Sequence, residues 1–333
     1  MIQVWTLIAA LLVHTLASAA DATSNRTNGT NATNADSGIA LLQRVAQQAM
    51  NLSYSGVFVY RSGDREETSR IAHAFSDGRE VERIEVLDGS AREVMRNGAE
   101  VKCYLPEEKR VIVERQPNLR GFPALMPVSF AALVQNYVVR TGGAGRVADT
   151  ACQSLVVDPR DALRYGHQLW IEPNSGLLLK ASLVNKQGRV LESFAFTQIS
   201  IGSTFERQQL IPSAESQLGR VEKVQSSELR AGDVKWVIEN LPAGFRVSKV
   251  MLRRLANVPN AQDVVHFVIS DGLAAVSVFI EGAAASKPNE LLQPSGAMSF
   301  YSRQIGEHRA IVMGEVPLLT AKLIGDAIER REK

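Results

Sequence analysis

The chain has few cysteines, no excess of either charge and, after its first twenty residues, no long apolar run. Its two cysteines, Cys103 and Cys152, cannot supply the four thiolates of a structural zinc site. The 37 basic and 35 acidic side chains give a net charge of +2, which argues against a nucleic-acid partner bound through a cationic face. The absence of an apolar run of about 18 residues predicts a soluble mature chain.

Linear motifs of enzymes are also scarce. The chain has no G-x-S-x-G, so a hydrolase nucleophile has no candidate. Residues 143–148 fit G-x-G-x-x-A, but strand-like sequence follows where a dinucleotide site needs a helix. The histidines are isolated, and Asp158 and Asp161 lie in a proline-containing turn. We therefore predict a binding protein with no catalytic residues, no cofactor and no metal site.

The first twenty residues form a separate segment. They contain no charged side chain, and an apolar stretch is followed by Ala17-Ser18-Ala19, which fits a signal-peptidase site. We predict a signal peptide over 1–20 and an exported protein. No cysteine follows the small residues, so a lipid anchor is not expected. Residues 21–37 are rich in Asn, Thr and Ala, a composition typical of a disordered spacer.

Residues 38–205 show the pattern of an antiparallel sheet. An amphipathic helix opens the segment, and strand-like runs then alternate with turns such as Asp88-Gly89 and Asn97-Gly98. A second helix is expected after Pro127. The pattern predicts one large, strongly curved sheet with two helices in its concavity.

A smaller α+β domain is predicted over 229–333, after a polar linker at 206–228. Its strand-like runs end in a terminal helix. The apolar face predicted for that helix is made of Leu319, Leu323, Ala327, Ile324 and Ile328. The fold class is therefore α+β and mainly antiparallel.

Two groups of residues in the large domain are candidates for special roles. Six aromatic residues lie on its predicted strands and form either plain core or the lining of an apolar, lipid-sized cavity: Tyr54, Phe58, Tyr60, Trp170, Phe194 and Phe196. Cys103 and Cys152 lie in or beside two strands, and export makes a disulfide between them the favoured expectation. The alternative is two buried free thiols.

Several segments resemble the RseB/MucB family of periplasmic stress regulators, and the likeness runs in order over about residues 38–333. In the large domain they are LSYSGVFVY (52–60) and ETSRIAHAFSDGREVERIEVLDGSAREVMRNGAEVKCYLP (67–106). In the small domain they are Trp236 with LPAGF (241–245), SDGLAAVSVFIE (270–281), Tyr301-Ser302-Arg303 and MGEVP (313–317).

The resemblance implies a large domain similar to LolA and LolB, a half-open sheet around helices. It implies a periplasmic regulator that binds the periplasmic segment of a single-span anti-sigma factor of the RseA/MucA type. Such a regulator protects the anti-sigma factor from site-one proteolysis and keeps a sigma-E-type factor inactive. Displacement by lipopolysaccharide or mislocalised lipoprotein then allows proteolysis. The alternative function is a periplasmic lipid or lipoprotein carrier, and a homodimer or higher oligomer is possible.

The partner is expected to lie in a groove between the two domains. In the small domain we name Phe279, Tyr301 and Arg303 as candidate partner-binding residues. The competing interpretation is that these side chains hold the small domain's own sheet together.

Overall fold

The computed structural model describes residues 37–45, 51–76, 78–115, 130–202, 204, 207–213, 219–256, 262–282 and 290–331. The signal peptide and spacer predicted at the N-terminus lie outside these residues, apart from Ser37. None of the helices within these ranges is both long and apolar enough to span a bilayer.

The large domain comprises eleven strands and two helices within the described ranges. The helices are α1 (37–45) and α2 (Phe130–Asn136). The strands are β1 (Tyr54–Ser62), β2 (Arg65–Ser76), β3 (Arg79–Val86), β4 (Glu93–Asn97), β5 (Glu100–Leu105), β6 (Arg110–Arg115), β7 (Tyr137–Val147), β8 (Thr150–Pro159), β9 (Gly166–Ile171), β10 (Leu178–Val184) and β11 (Val190–Ile201).

These strands form one antiparallel sheet in the order β7-β8-β9-β10-β11-β1-β2-β3-β4-β5-β6. Neighbours in the sheet are neighbours in sequence except where β11 returns to pair with β1. Gly89 and Gly98, at two predicted turns, have φ of +71° and +54°, a left-handed conformation that glycine adopts without strain. The predicted antiparallel meander is therefore confirmed.

The sheet curves around its two helices. Leu42 and Val45 of α1 and Leu133 of α2 share one core with side chains from β1 and from β7. Because four strands separate β7 from β1 in the sheet, contact with one common core requires the sheet to bend around it. Among the described strands β7 has no second neighbour, so the sheet stays open at that edge.

The small domain follows one junction strand, β12 (Arg220–Glu228). Its helix is α3 (Leu318–Asp326), and its strands are β13 (Trp236–Ile238), β14 (Arg246–Ala256), β15 (Val264–Ser270), β16 (Ala275–Gly282), β17 (Glu290–Ser295), β18 (Met298–Ile305), β19 (His308–Gly314) and β20 (Ile328–Arg330). The sheet runs β12-β14-β15-β16-β19-β18-β17 and packs on α3 through a second core, while β13 pairs with β20.

The structure differs from the predicted linker at β12. This strand pairs in parallel with β6 of the large domain and antiparallel with β14 of the small domain, so the two sheets are continuous. Its polar composition misled the prediction because the strand buries a charged residue. Glu222 is 3% exposed and forms ion pairs with Arg110 and Arg220, while Val224 lies on the same face.

Candidate functional site

Four of the six candidate aromatic residues form a tight cluster in the large domain. Phe58 of β1 lies opposite Phe196 of β11, and Tyr54 and Phe194 lie nearby on the same strands. Their rings meet edge to face, with centroids 5.9 to 6.4 Å apart, and all four side chains are buried. Edge-to-face contacts between such rings stabilise a core. This geometry favours the core interpretation for these four residues.

Tyr60 and Trp170 are placed differently from the other four. Both are half-buried at the border of the same core. Lys180 Nζ lies 4.5 Å from the centroid of the Trp170 ring, a cation–π distance. These two side chains are therefore the least buried members of the set, and Tyr60 is hydrogen-bonded to Glu192.

A groove with a volume of about 650 Å³ lies on the large sheet, on the face opposite the aromatic core. Its walls include Ser55 and Val57, which alternate along β1 with the core residues, and also Arg70, Glu85 and Gln198. Hydroxyl, amide and charged groups share this lining with the apolar side chains of Ile71, Ala72 and Ile199. None of the six candidate aromatic residues contributes to it, so the groove is distinct from the predicted lipid cavity.

The predicted disulfide is wrong in this structure. Cys103 and Cys152 are both buried and both free. Cys103 lies on β5 and Cys152 on β8, with seven strands between them in the order of the sheet. A disulfide requires Cα atoms less than about 7 Å apart. Burial raises the pKa of the Cys103 thiol to about 11 and also raises that of Cys152, so both are protonated at neutral pH.

The three candidate partner-binding residues lie inside the small domain. Phe279 is 4% exposed and stacks on His266 with ring centroids 4.2 Å apart. The Tyr301 hydroxyl donates a hydrogen bond of 2.7 Å to Asp326 Oδ1. Arg303 Nε donates one of 2.9 Å to the carbonyl oxygen of Gly325 at the end of α3. These contacts fit the interpretation that the residues hold the small domain together.

One group with metal-ligand chemistry was missed by sequence reasoning. Cross-strand pairing of β2 and β3 places His73 opposite Glu82 and near Glu80, with the possible ligand atoms within 4.8 Å of one another. His73 Nδ1 lies 2.7 Å from the carbonyl oxygen of Leu52, and Nε2 lies 3.1 Å from Glu80. Burial lowers the pKa of His73, but its hydrogen bonds to Glu80 and to the Leu52 carbonyl oxygen and the charges of both glutamates together outweigh burial and raise it. The contacts of the imidazole with these two acceptors, together with Arg96 near Glu82, account for the group without an ion.

The contact between the two domains is centred on Asp271, in the turn between β15 and β16. Its side chain is fully buried. Oδ2 accepts hydrogen bonds from Tyr137 Oη (2.8 Å) and Arg164 Nη1 (2.7 Å), which both belong to the large domain. Oδ1 accepts from the backbone N–H groups of Leu273 and Ala274. One carboxylate therefore orders its own turn and binds the other domain.

Arg164 extends this contact over the small domain. Its guanidinium lies 4.9 Å from the centroid of the Phe245 ring and donates to the carbonyl oxygen of Ala243. Burial, followed by the charge of Asp271, holds the pKa of Tyr137 well above its usual value, so Tyr137 remains a hydrogen-bond donor. In sequence, Asp271 belongs to a Ser-Asp-Gly turn and gives no sign of this role.

A second charged contact crosses β12. Arg253 of β14 is 1% exposed and forms an ion pair with Glu114 of β6. Arg253 Nη1 also lies 3.3 Å from Nδ1 of His266, whose Nε2 is 3.0 Å from Ser277 Oγ. Burial and the adjacent guanidinium lower the pKa of His266, so this ring is neutral. The domains are thus joined by buried polar contacts as well as by the continuous sheet.

Comparison with known proteins assigns both domains to one family. Residues 37–214 match the profile of the MucB/RseB N-terminal domain, and residues 230–329 match that of the MucB/RseB C-terminal domain. The chain therefore belongs to the MucB/RseB family.

Similar proteins support the assignment over both domains. The sigma factor AlgU regulatory protein MucB of Pseudomonas aeruginosa is 32% identical over 295 residues, which cover 86% of this chain and 89% of that protein. The sigma-E factor regulatory protein RseB of Salmonella typhimurium is 28% identical over 338 residues, with 99% and 98% covered.

Solved structures of MucB share the fold. The crystal structure of MucB in complex with MucA(peri) has a TM-score of 0.70 and 30% identity, and it covers 89% of this chain and 100% of that one. A further crystal structure of MucB gives a TM-score of 0.64 and 29% identity, with 89% and 98% covered. The predicted family and the α+β, mainly antiparallel fold are thereby confirmed.

Proposed function

We propose that this protein is a periplasmic regulator that binds the periplasmic segment of a single-span anti-sigma factor. Bound there, it protects the segment from site-one proteolysis and keeps a sigma-E-type factor inactive. One observation carries the proposal: the likeness to MucB in its complex with MucA(peri) extends over both domains and over the full length of that MucB chain.

The chemistry of the described residues agrees with a binding role. Four buried ionisable groups at the domain contact, Asp271, Arg164, Glu114 and Arg253, are engaged with one another or with backbone groups. A catalytic acid or base needs instead to reach a substrate atom within hydrogen-bond distance. We therefore propose that the protein is not an enzyme and that it works by covering an extended peptide.

The inducing signal is part of the same proposal. Acyl chains of lipopolysaccharide or of a mislocalised lipoprotein would enter the large domain beside Tyr60 and Trp170, because these are the half-buried aromatic residues of the candidate set. Binding there would displace the anti-sigma segment only if acyl chains favour a domain arrangement that the segment does not.

The first prediction concerns this partner. The mature chain should bind the purified periplasmic segment of the single-span anti-sigma factor from the same bacterium, measured by isothermal titration calorimetry, and should slow its cleavage by the site-one protease. A scrambled segment of the same composition is the control. Addition of lipopolysaccharide should restore cleavage.

Two results separate the parts of the proposal. No binding and no protection would refute the regulatory function. Binding and protection that lipopolysaccharide leaves unchanged would refute only the proposed displacement. Lipid binding without any binding of the segment would instead support a lipid or lipoprotein carrier.

A further inference from the structure

The two domains also meet at a place other than Asp271, where two buried glutamates face each other. Glu192 lies on β11 and is 3% exposed, and Glu315 follows β19 in the small domain and is 6% exposed. Their carboxyl groups lie close enough to share a hydrogen bond. An ionised carboxylate can only accept hydrogen bonds, so a bond between two carboxyl groups requires that one of them keeps its proton. We call them the interdomain carboxyl pair.

The surroundings of the pair belong to both domains. On β1, Ser62 Oγ donates a hydrogen bond of 3.3 Å to Glu192 Oε2, and Tyr60 is also hydrogen-bonded to Glu192. Beyond the pair, the phenol of Tyr165 is close enough to sense the charges of Glu315 and Arg189. Among the described residues, Tyr60, Tyr165 and Arg189 are thus the titratable and charged groups placed around the pair.

The domains make close apolar and backbone contact at the same place. Ala297, in the turn between β17 and β18, is fully buried against Leu183 and Val184 of β10. The neighbouring Gly296 approaches so closely that an added side chain would collide with Ser62 Oγ. Water is therefore largely excluded from the pair, and two negative charges would repel each other there without solvent screening.

We propose that the interdomain carboxyl pair is a proton-dependent contact that holds the small domain against β1, β10 and β11, and that loses strength when its proton is released. The domains remain joined through β6, β12 and β14, where the sheet is continuous. Loss of the proton therefore loosens one side of the domain contact and leaves the other side attached.

The direction in which the strength of this contact changes with pH follows from the pKa of Glu192 when the two domains are in contact. Burial is the main cause that raises the pKa of Glu192 from 4.5 to about 7, while its hydrogen bonds to Tyr60, Ser62 and Glu315 act in the opposite direction. The closed contact thus binds a proton that a separated, solvated Glu192 releases near pH 4.5. The contact is strongest below that pH and weakens as the pH rises towards 7, above which the dependence flattens.

Hydrogen exchange on the full chain tests the proposal. Protection of the amides in residues 60–63 and 295–299, corrected for intrinsic exchange, should fall roughly tenfold between pH 5.5 and pH 7.5. Glu192→Gln replaces the proton of Glu192 by a permanent amide donor of the same shape, so protection should change less than about twofold over the same range. Glu307→Gln, at an exposed turn of the small domain, should behave like the wild type.

The outcomes are distinct. Wild-type protection that is constant over this pH range would refute the proposal. So would the same tenfold decrease in Glu192→Gln. If Glu192→Gln fails to fold, Glu192→Leu decides, because leucine also has no proton to release.

Discussion

Asp271 shows how a single residue can connect two domains. Its carboxylate accepts four hydrogen bonds, two from its own turn and two from Tyr137 and Arg164 of the large domain. Arg164 and Asp271 both have fully buried side chains. A buried ion pair adds little net stability compared with an apolar pair, but the loss of one partner leaves a charge without compensation.

Replacement of Asp271 by Asn should therefore be costly. The substitution keeps the size of the side chain and removes the charge that balances Arg164, and we expect a loss of about 3–5 kcal/mol in the free energy of unfolding. Asp263→Asn is the matched control, because Asp263 is 42% exposed and pairs with the 51% exposed Arg254. Its loss should stay below about 1 kcal/mol. Urea denaturation measures both, and equal losses would show that Asp271 does not act as described.

At the level of helices and strands, most hairpins could be predicted from the sequence, but the buried face of each element could not be predicted precisely. The alternation of apolar residues and the Asp-Gly and Asn-Gly turns predicted the hairpins β2–β3, β3–β4 and β4–β5. The hairpin β7–β8 instead turns at Ala148 and Asp149, both with positive φ, and these residues are not a typical turn signal. Contacts such as Tyr137 with Asp271 depend on residues 134 positions apart, which no local pattern encodes.

The terminal helix α3 is a case where the predicted face was only partly right. The helix buries Thr320, Ala321, Ile324 and Gly325, while Leu319 and Leu323 are 56% and 41% exposed. It also ends at Asp326, and Ile328 belongs to strand β20. Gly325 fixes this orientation because it packs against the Tyr301 ring, where a methyl group would collide.

Ile324 and Leu323 of α3 have side chains of equal size, but they should differ in their contribution to the free energy of unfolding. Ile324→Ala removes a fully buried side chain from the second core, and we expect a loss of about 2–5 kcal/mol. Leu323→Ala, one residue earlier, removes an exposed side chain and should cost less than about 1 kcal/mol. The predicted face contains both residues, so a loss for Leu323→Ala as large as that for Ile324→Ala would support the predicted face and contradict the structural one. Thermal denaturation compares the two variants.

On the scale of the whole molecule, β12 makes the two domains parts of one sheet. The strand pairs with β6 and β14 at once, and the ion pair of Glu114 with Arg253 spans it. Dividing the chain within the predicted linker into two separate domains would remove these contacts and expose a strand edge of each domain. The domain arrangement therefore depends on residues that composition alone marked as a polar connection.

This arrangement predicts that the domains unfold together and that Glu114 couples them. Trp170 lies in the large domain and Trp236 in the small domain, so the variants Trp170→Phe and Trp236→Phe each leave one fluorescent reporter in the mature chain. The urea transitions of these two proteins should coincide.

Glu114→Gln leaves the guanidinium of Arg253 buried without a counter-charge, which should cost about 3–5 kcal/mol and separate the two transitions. The double variant Glu114→Gln/Arg253→Met removes both charges and should recover most of the loss, because an apolar side chain of similar length then fills the site. Glu66→Gln, in the exposed pair with Arg61, controls for loss of a charge and should cost less than about 1 kcal/mol. Separate transitions in the wild type, or a double variant as unstable as the sum of its single substitutions, would show that the charged contact across β12 does not join the domains.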